Sequence, residues 1–147
     1  MKTSLTLLIV ITFLPLLSAC STLSQILADA EVRRLCEKDG GITVYEAVKL
    51  PVERFEKDGS IRIPARSLAK PDDEYYLIGS TSYLKKGHPE LVRYHTQVFR
   101  RSDEKLLGEI INYSRRGGDI PGPWHPSWFM CPKETDAHLN MQIFIPE

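Results

Sequence analysis

Three consecutive segments of alternating polarity, joined by short polar connections, constrain the fold of this chain more than any other feature of its sequence. They run from Tyr75 to Leu84, from Leu91 to Arg100 and from Leu106 to Arg115. Alternation with a period of two is typical of a strand that buries one face. Connections this short are too short for the crossover that parallel strands need, so we expect three adjacent antiparallel strands in a meander.

Shorter elements flank the meander. Alternation predicts one strand over 42–50, a short edge strand over 60–63 and a final strand over 140–145. A helix is predicted from Leu23 to Lys38, ending at Gly40-Gly41, because glycine suits the left-handed conformation after a helix. The expected fold class is therefore α+β: an N-terminal helix packed on a curved antiparallel sheet of about five strands.

The composition is that of one folded domain. The 147 residues include 19 Lys and Arg, 19 Asp and Glu, and 42% hydrophobic residues. Balanced charge and this apolar content exclude a disordered charged tail. They also argue against a nucleic-acid partner, because neutralising phosphates needs a surplus of basic side chains.

The first twenty residues predict export. Lys2 precedes an apolar run from Leu5 to Leu17, which as a helix would span only about 20 Å and is too short for a bilayer core. Leu17-Ser18-Ala19-Cys20 then resembles the lipobox of bacterial lipoproteins. The resemblance implies cleavage of a signal peptide, residues 1–19, and lipidation of Cys20, which anchors a single domain, residues 20–147, to a membrane. Ser21 in place of Asp implies the outer membrane of a Gram-negative cell, with the domain facing the periplasm.

Two cysteines remain after lipidation of Cys20. The apolar stripe of the predicted helix, formed by Ala28, Val32, Leu35 and Cys36, turns Cys36 inward. An even pair of cysteines in an oxidising compartment predicts a disulfide between Cys36 and Cys131, and no CxxC or catalytic signature favours a reactive thiol.

The stretch 115–132 holds both tryptophans and four prolines, which predicts a stiff irregular loop. It is either a rigid aromatic binding platform or a cover over the end of the sheet. The candidate partner-binding residues are Trp124, His125 and Trp128. We expect Trp124 to be exposed, because prolines surround it, and Trp128 to belong to the core, because it adjoins Phe129 and Met130.

Signals for catalysis or for a bound metal are weak. The four histidines, His88, His95, His125 and His138, have no zinc-ligand spacing, and no catalytic motif is present, so we expect no metal, no cofactor and no enzymatic activity. Glu46 and Glu109 fall on otherwise apolar faces, where they either form an acid–base pair or bind arginines. The Lys85-Lys86, Arg100-Arg101 and Arg115-Arg116 pairs could form basic spots, but neighbouring acidic residues offset them.

Three further stretches resemble small uncharacterised lipoproteins of Gram-negative bacteria: 40–46, 98–103 and 118–125. The resemblance implies export and lipidation but no activity, ligand or catalytic residue. The leading hypothesis is a non-enzymatic envelope lipoprotein that binds a protein or cell-wall partner. The alternatives are a tethered inhibitor or exclusion factor that inserts Trp124-His125-Pro126 into a hydrolase, toxin or phage protein, and a periplasmic enzyme that uses Glu46, Glu109 or His125.

Replacing Cys20 by serine should abolish lipidation, because the lipobox resemblance implies that the cysteine thiol is the group that receives the diacylglycerol. We expect Cys20→Ser to accumulate as unprocessed or misplaced protein. Metabolic labelling with a radioactive fatty acid checks this, and equal labelling of wild type and Cys20→Ser would contradict it.

Overall fold

An N-terminal helix and an antiparallel sheet of five strands form the α+β architecture that the sequence predicts. The computed structural model describes residues 23–119 and 125–147. Helix α1 covers residues 23–39, and its end at Gly40 matches the prediction. The remaining elements are β1 (Gly41–Val44), β2 (Val48–Leu50), a 3₁₀ turn (Val52–Arg54), β3 (Tyr75–Lys85), β4 (Glu90–Arg100), β5 (Lys105–Arg116), β6 (Trp128–Cys131), α2 (Asp136–Ile143) and β7 (Phe144–Pro146).

The meander β3-β4-β5 forms the body of the sheet, and each of its strands lies within one residue of the predicted bounds. The outer edge of β5 then pairs with two short strands in succession. β1 lies opposite 108–111, and β6 lies opposite 113–116. The strands β2 and β7 form a separate parallel pair.

The two faces of the sheet are buried by different helices. The inner stripe of α1 packs through Ala28, Val32 and Cys36 on Leu91 and Tyr113. The opposite face carries the larger core, in which Leu139 and Ile143 of α2 pack on Val98, Leu107 and Ile110. Gly108 allows this close approach, because a Cβ at that position would lie 2.8 Å from Ile143 Cδ1 and 2.9 Å from the Thr43 carbonyl.

The single strand predicted over 42–50 is wrong, because the chain leaves the sheet in its middle. The backbone N–H groups of Tyr45 and Glu46 both donate to the Leu107 carbonyl, at 2.8 and 3.0 Å, beside a register shift between β4 and β5. β1 therefore belongs to the main sheet, and β2 pairs with β7. Alternation continues through the break, so the sequence pattern does not mark it.

Two other predicted strands are also wrong. Residues 60–63 form no strand, although Ile61 and Ile63 are buried in the core. Most of 140–145 lies in α2, whose N-cap is Thr135; the Thr135 N–H donates to His138 Nδ1 at 2.9 Å. The helix buries Leu139, Asn140 and Ile143 at i, i+1 and i+4, and over so short a segment this spacing is hard to distinguish from alternation. Within the described residues no helix is long and apolar enough to cross a bilayer.

The predicted disulfide joins Cys36, near the end of α1, to Cys131, at the end of β6. Their Cα atoms are 5.9 Å apart across 95 residues of sequence. The bond ties the helix to a four-residue edge strand that, among residues 23–119 and 125–147, pairs with β5 alone.

Breaking this bond should destabilise the domain by roughly 2–5 kcal/mol, because the unfolded chain then regains the freedom of a long loop. We expect Cys36→Ser/Cys131→Ser to lower the free energy of unfolding by this amount in urea titrations. A reductant should lower the free energy of unfolding of the wild type and leave that of the double variant unchanged. Two free thiols in peptide maps of the oxidised, folded protein would contradict the prediction.

Candidate binding face

Three exposed aromatic side chains share the face of the sheet on which α2 packs, in the part next to the start of α2. Register partners on neighbouring strands share a face, and such partners run from Tyr83 through Val92 and Ser114 to Met130. Trp128 is two residues before Met130 on β6, so it lies on the same face, opposite Arg116. Tyr94 lies between them on β4. Trp128 is 61% exposed, Tyr83 56% and Tyr94 40%, and we call these three residues the aromatic face.

Two shallow cavities of about 330 Å³ each open on the aromatic face and share Tyr94 and Trp128. The first also contains Glu90 and Arg116, a carboxylate and a guanidinium on neighbouring strands. Lys86 lies beside the patch, with its Nζ atom 5.9 Å from the centre of the Tyr83 ring. The surface is therefore apolar at its centre and charged at its rim.

The expectation that Trp128 belongs to the core is wrong. Alternation along β6 turns Phe129 and Cys131 toward α1, where Arg33 lies 4.8 Å above the Phe129 ring. Trp128 must point to the opposite face, where it shares a cavity with Asp136 at the start of α2 but stays 61% exposed. Trp124 lies outside the described residues, and His125 and Pro126 are exposed.

A buried arginine holds the loop that leads to Trp128. Arg115 is only 3% exposed, and its Nε donates to Asp29 Oδ1 of α1 at 2.7 Å. Its Nη1 donates to the Gly117 carbonyl at 2.7 Å and to the carbonyl and hydroxyl of Ser127. One guanidinium thus joins α1, β5 and the segment immediately before β6.

Asp119 and His88 complete this support. The Ser127 N–H donates to Asp119 Oδ2 at 2.6 Å, and hydrogen bonds from Ser127 lower the pKa of that carboxyl. The Gly118 N–H donates to His88 Nε2 at 3.0 Å. Gly117 has φ +78°, and a Cβ there would lie 2.5 Å from His88 Nδ1, so this position requires glycine.

The carboxylates proposed for catalysis lie on opposite faces of the sheet. Glu46 pairs with Arg100 and with Lys105 Nζ, and Arg100 lies opposite Tyr75 of the α2 core. Glu109 is on the α1 face and accepts hydrogen bonds from Tyr45 and His95, the latter at 2.6 Å. His125 lies in the loop before β6, apart from both contact sets.

Opposing effects set the pKa of Glu109. Burial raises it, but the hydrogen bonds from Tyr45, His95 and Gln97 and the electrostatic attraction of His95 together outweigh burial, so the pKa lies below its ordinary value. The carboxylate is therefore held in its ionised form, as an acceptor for two ring donors. This arrangement accounts for a charged residue on an otherwise apolar strand face.

The predicted basic pairs do not form a common patch. Arg115 is buried against Asp29, Arg100 pairs with Glu46 and Asp103, and Arg101 lies over the Tyr76 ring. A cavity of about 550 Å³ between 53–64 and 72–75 is lined mainly by charged side chains, of which Arg54 and Glu74 pair at 2.9 Å. Among residues 23–119 and 125–147, no cluster of three or more His, Cys, Asp or Glu side chains could hold a metal ion.

The sequence names Trp128 as a candidate binding residue but predicts it in the core, places Arg115 in a basic pair rather than a buried network, and gives no sign that Tyr83 and Tyr94 belong to the same surface. Tyr83 and Tyr94 occupy alternating positions of two predicted strands, and only the register shows that they share a face with the tryptophan.

Comparison with known protein families, with curated proteins and with solved structures finds no match for this chain.

Adjacent arginines on β5 provide a matched test of the buried network. Arg115→Met should lower the free energy of unfolding by about 3 kcal/mol, because it leaves the Asp29 carboxylate without its partner. Arg116→Met, at an exposed position, should change it by less than about 0.5 kcal/mol. Urea unfolding of both variants checks this, and equal effects would contradict the network.

The Glu109 cluster predicts a pH dependence. Because folding lowers the pKa of Glu109, its ionised form stabilises the fold above the ordinary glutamate pKa, and this stabilisation is lost as the pH falls through the folded value. Glu109→Gln should therefore cost about 1–2 kcal/mol at neutral pH, with the difference from wild type shrinking between about pH 5 and pH 3. A difference that stays constant over this range in urea titrations would rule the interpretation out.

Proposed function

We propose that this protein is a non-enzymatic envelope lipoprotein that binds a protein partner through its aromatic face. Lipid on Cys20 tethers the domain to the outer membrane, where it faces the periplasm. The observation that carries the binding role is the group of three exposed aromatic side chains around two adjoining cavities. Isolated apolar side chains are common on protein surfaces, but a contiguous group marks an interaction site.

The chemistry of the face favours a protein partner. Trp, Tyr and Arg are the residues most enriched at the energetic centres of protein interfaces, and Trp128, Tyr94 and Arg116 line one cavity here. The charges of Glu90 and Arg116 at its rim would select the orientation of the partner.

The neighbouring strand edge supports the same conclusion. In the described part of the chain, the outer edge of β3 is bridged only at Leu77, by Ala65. From Gly79 to Lys85 the strand is exposed, and Tyr83 of the aromatic face belongs to it. An extended segment of a partner can add to such an edge while its side chains contact the aromatic rings.

The framework beneath the face is well suited to binding. The disulfide and the Arg115 network fix β6 at both of its ends. A surface that is already ordered loses little conformational entropy when a partner binds. The ion pairs of Glu46 and the separation of Glu46 from Glu109 favour this role over the enzymatic alternative.

Removing the Trp128 ring should weaken partner binding without unfolding the domain. We expect Trp128→Ala to cost on the order of 2 kcal/mol of binding free energy, because the ring is central to the face. The melting temperature should be nearly unchanged, because the ring is exposed.

The partner is first captured by a photo-crosslinking residue at position 83 in intact cells, identified, and then titrated against purified variants. Leu68→Ala is the matched control, since Leu68 is exposed but lines neither cavity of the aromatic face. Equal affinity of Trp128→Ala and wild type would contradict the proposal. A captured hydrolase whose activity falls on binding would instead favour the inhibitor alternative.

A further inference from the structure

Helix α1 carries a second apolar stripe on the side that faces away from the sheet. Leu23, Ile26, Leu27 and Ala30 recur at i, i+3, i+4 and i+7, the spacing of one helix face. Leu23 is 56% exposed, Ile26 62% and Leu27 61%. The inner stripe, by contrast, is buried on Leu91 and Tyr113. The outer stripe, which we define by these four residues, thus has no place in the core.

The outer stripe begins three residues after Cys20. Three residues span at most about 11 Å when fully extended, whatever conformation they adopt. If Cys20 carries acyl chains, the start of the stripe is therefore held within this distance of a residue at the membrane surface. The bilayer is then the nearest apolar medium in which Leu23, Ile26 and Leu27 can be buried.

We propose that the outer stripe lies in the membrane interface beside the lipid anchor and fixes the orientation of the domain. The inference rests on the lipidation in the proposed function. The stripe ends at Ala30, and the next outward residues, Arg33 and Arg34, are charged and exposed. The first two turns of α1 therefore enter the interface, and the rest of the helix stays in water, as in amphipathic helices that supplement an acyl chain.

This orientation has a consequence for binding. α1 packs on one side of the sheet, and the aromatic face lies on the other. With the outer stripe against the membrane, Tyr94 and Trp128 point away from the bilayer and are open to a partner in the periplasm. A lipid at Cys20 alone would fix no such direction, so the stripe determines which face is presented.

The test uses the full lipidated protein in vesicles of phosphatidylethanolamine and phosphatidylglycerol, with acylation verified by mass spectrometry. A nitroxide label is placed at one of two positions. Leu27→Cys lies on the outer stripe, and Thr81→Cys is an exposed position beside Tyr94, on the face of the sheet turned away from α1. We expect the label at 27 to lose most of its collisions with a water-soluble nickel complex on membrane binding. The label at 81 should remain as accessible as in solution.

A variant without the apolar side chains separates orientation from tethering. Leu23→Ser/Ile26→Ser, which changes two exposed positions, should remain acylated and folded but should restore nickel access at position 27. Val52→Ser/Leu68→Ser changes two exposed apolar residues elsewhere and should leave the label at position 27 protected from nickel.

The possible failures are distinguishable. An acylated protein whose label at 27 stays accessible to nickel would overturn the orientation and leave the tether intact. Protection at 27 accompanied by spin–spin broadening between labels would also overturn it, because a second copy would then cover the stripe. Absence of acyl mass would overturn both the tether and the orientation.

Discussion

The buried guanidinium of Arg115 is the interaction on which the arrangement of this domain depends. An arginine cannot lose its charge, so placing it at the junction of α1, β5 and the loop before β6 requires partners for its donors. Asp29 supplies the opposite charge, and Gly117 and Ser127 supply neutral oxygens. Satisfying this one side chain fixes the start of β6, and with it the position of Trp128.

The disulfide acts at the other end of the same strand. Cys131 joins β6 to the last turns of α1, and the Arg115 network joins the residue before β6 to the first turns. A four-residue edge strand has few ladder hydrogen bonds of its own, so these two attachments give it a fixed place. The result is a rigid support for an exposed tryptophan.

The two faces of the sheet are covered to different extents by the two helices. α1 closes one face, and its outer stripe, on the side away from the sheet, is exposed. α2 closes only the half of the other face that holds Val98 and Ile110, which leaves the aromatic half exposed. The proposed binding surface and the proposed membrane surface thus lie on opposite sides of the sheet.

Local pattern predicted the elements whose neighbours in sequence are also their neighbours in space. The three strands of the meander and the helix 23–39 are of this kind, because short turns and an uninterrupted stripe determine them. The strand predicted for the final segment is wrong, because its side chains Leu139 and Ile143 are buried by a helix that packs against Gly108 of β5. That contact is not visible in the local pattern. The break at Tyr45 depends on the Leu107 carbonyl, which is more than sixty residues away.

By itself, the sequence determined the fold class, the cysteine pair and the expectation of a lipid at Cys20, because each depends on residue type and spacing along the chain. Only the tertiary structure decided that Trp128 is exposed, that Tyr83 and Tyr94 join it, and that Arg115 rather than Arg116 is buried. The physical reason is register: side chains alternate between faces, and a shift of one residue exchanges core for surface. That register was set by contacts between distant segments.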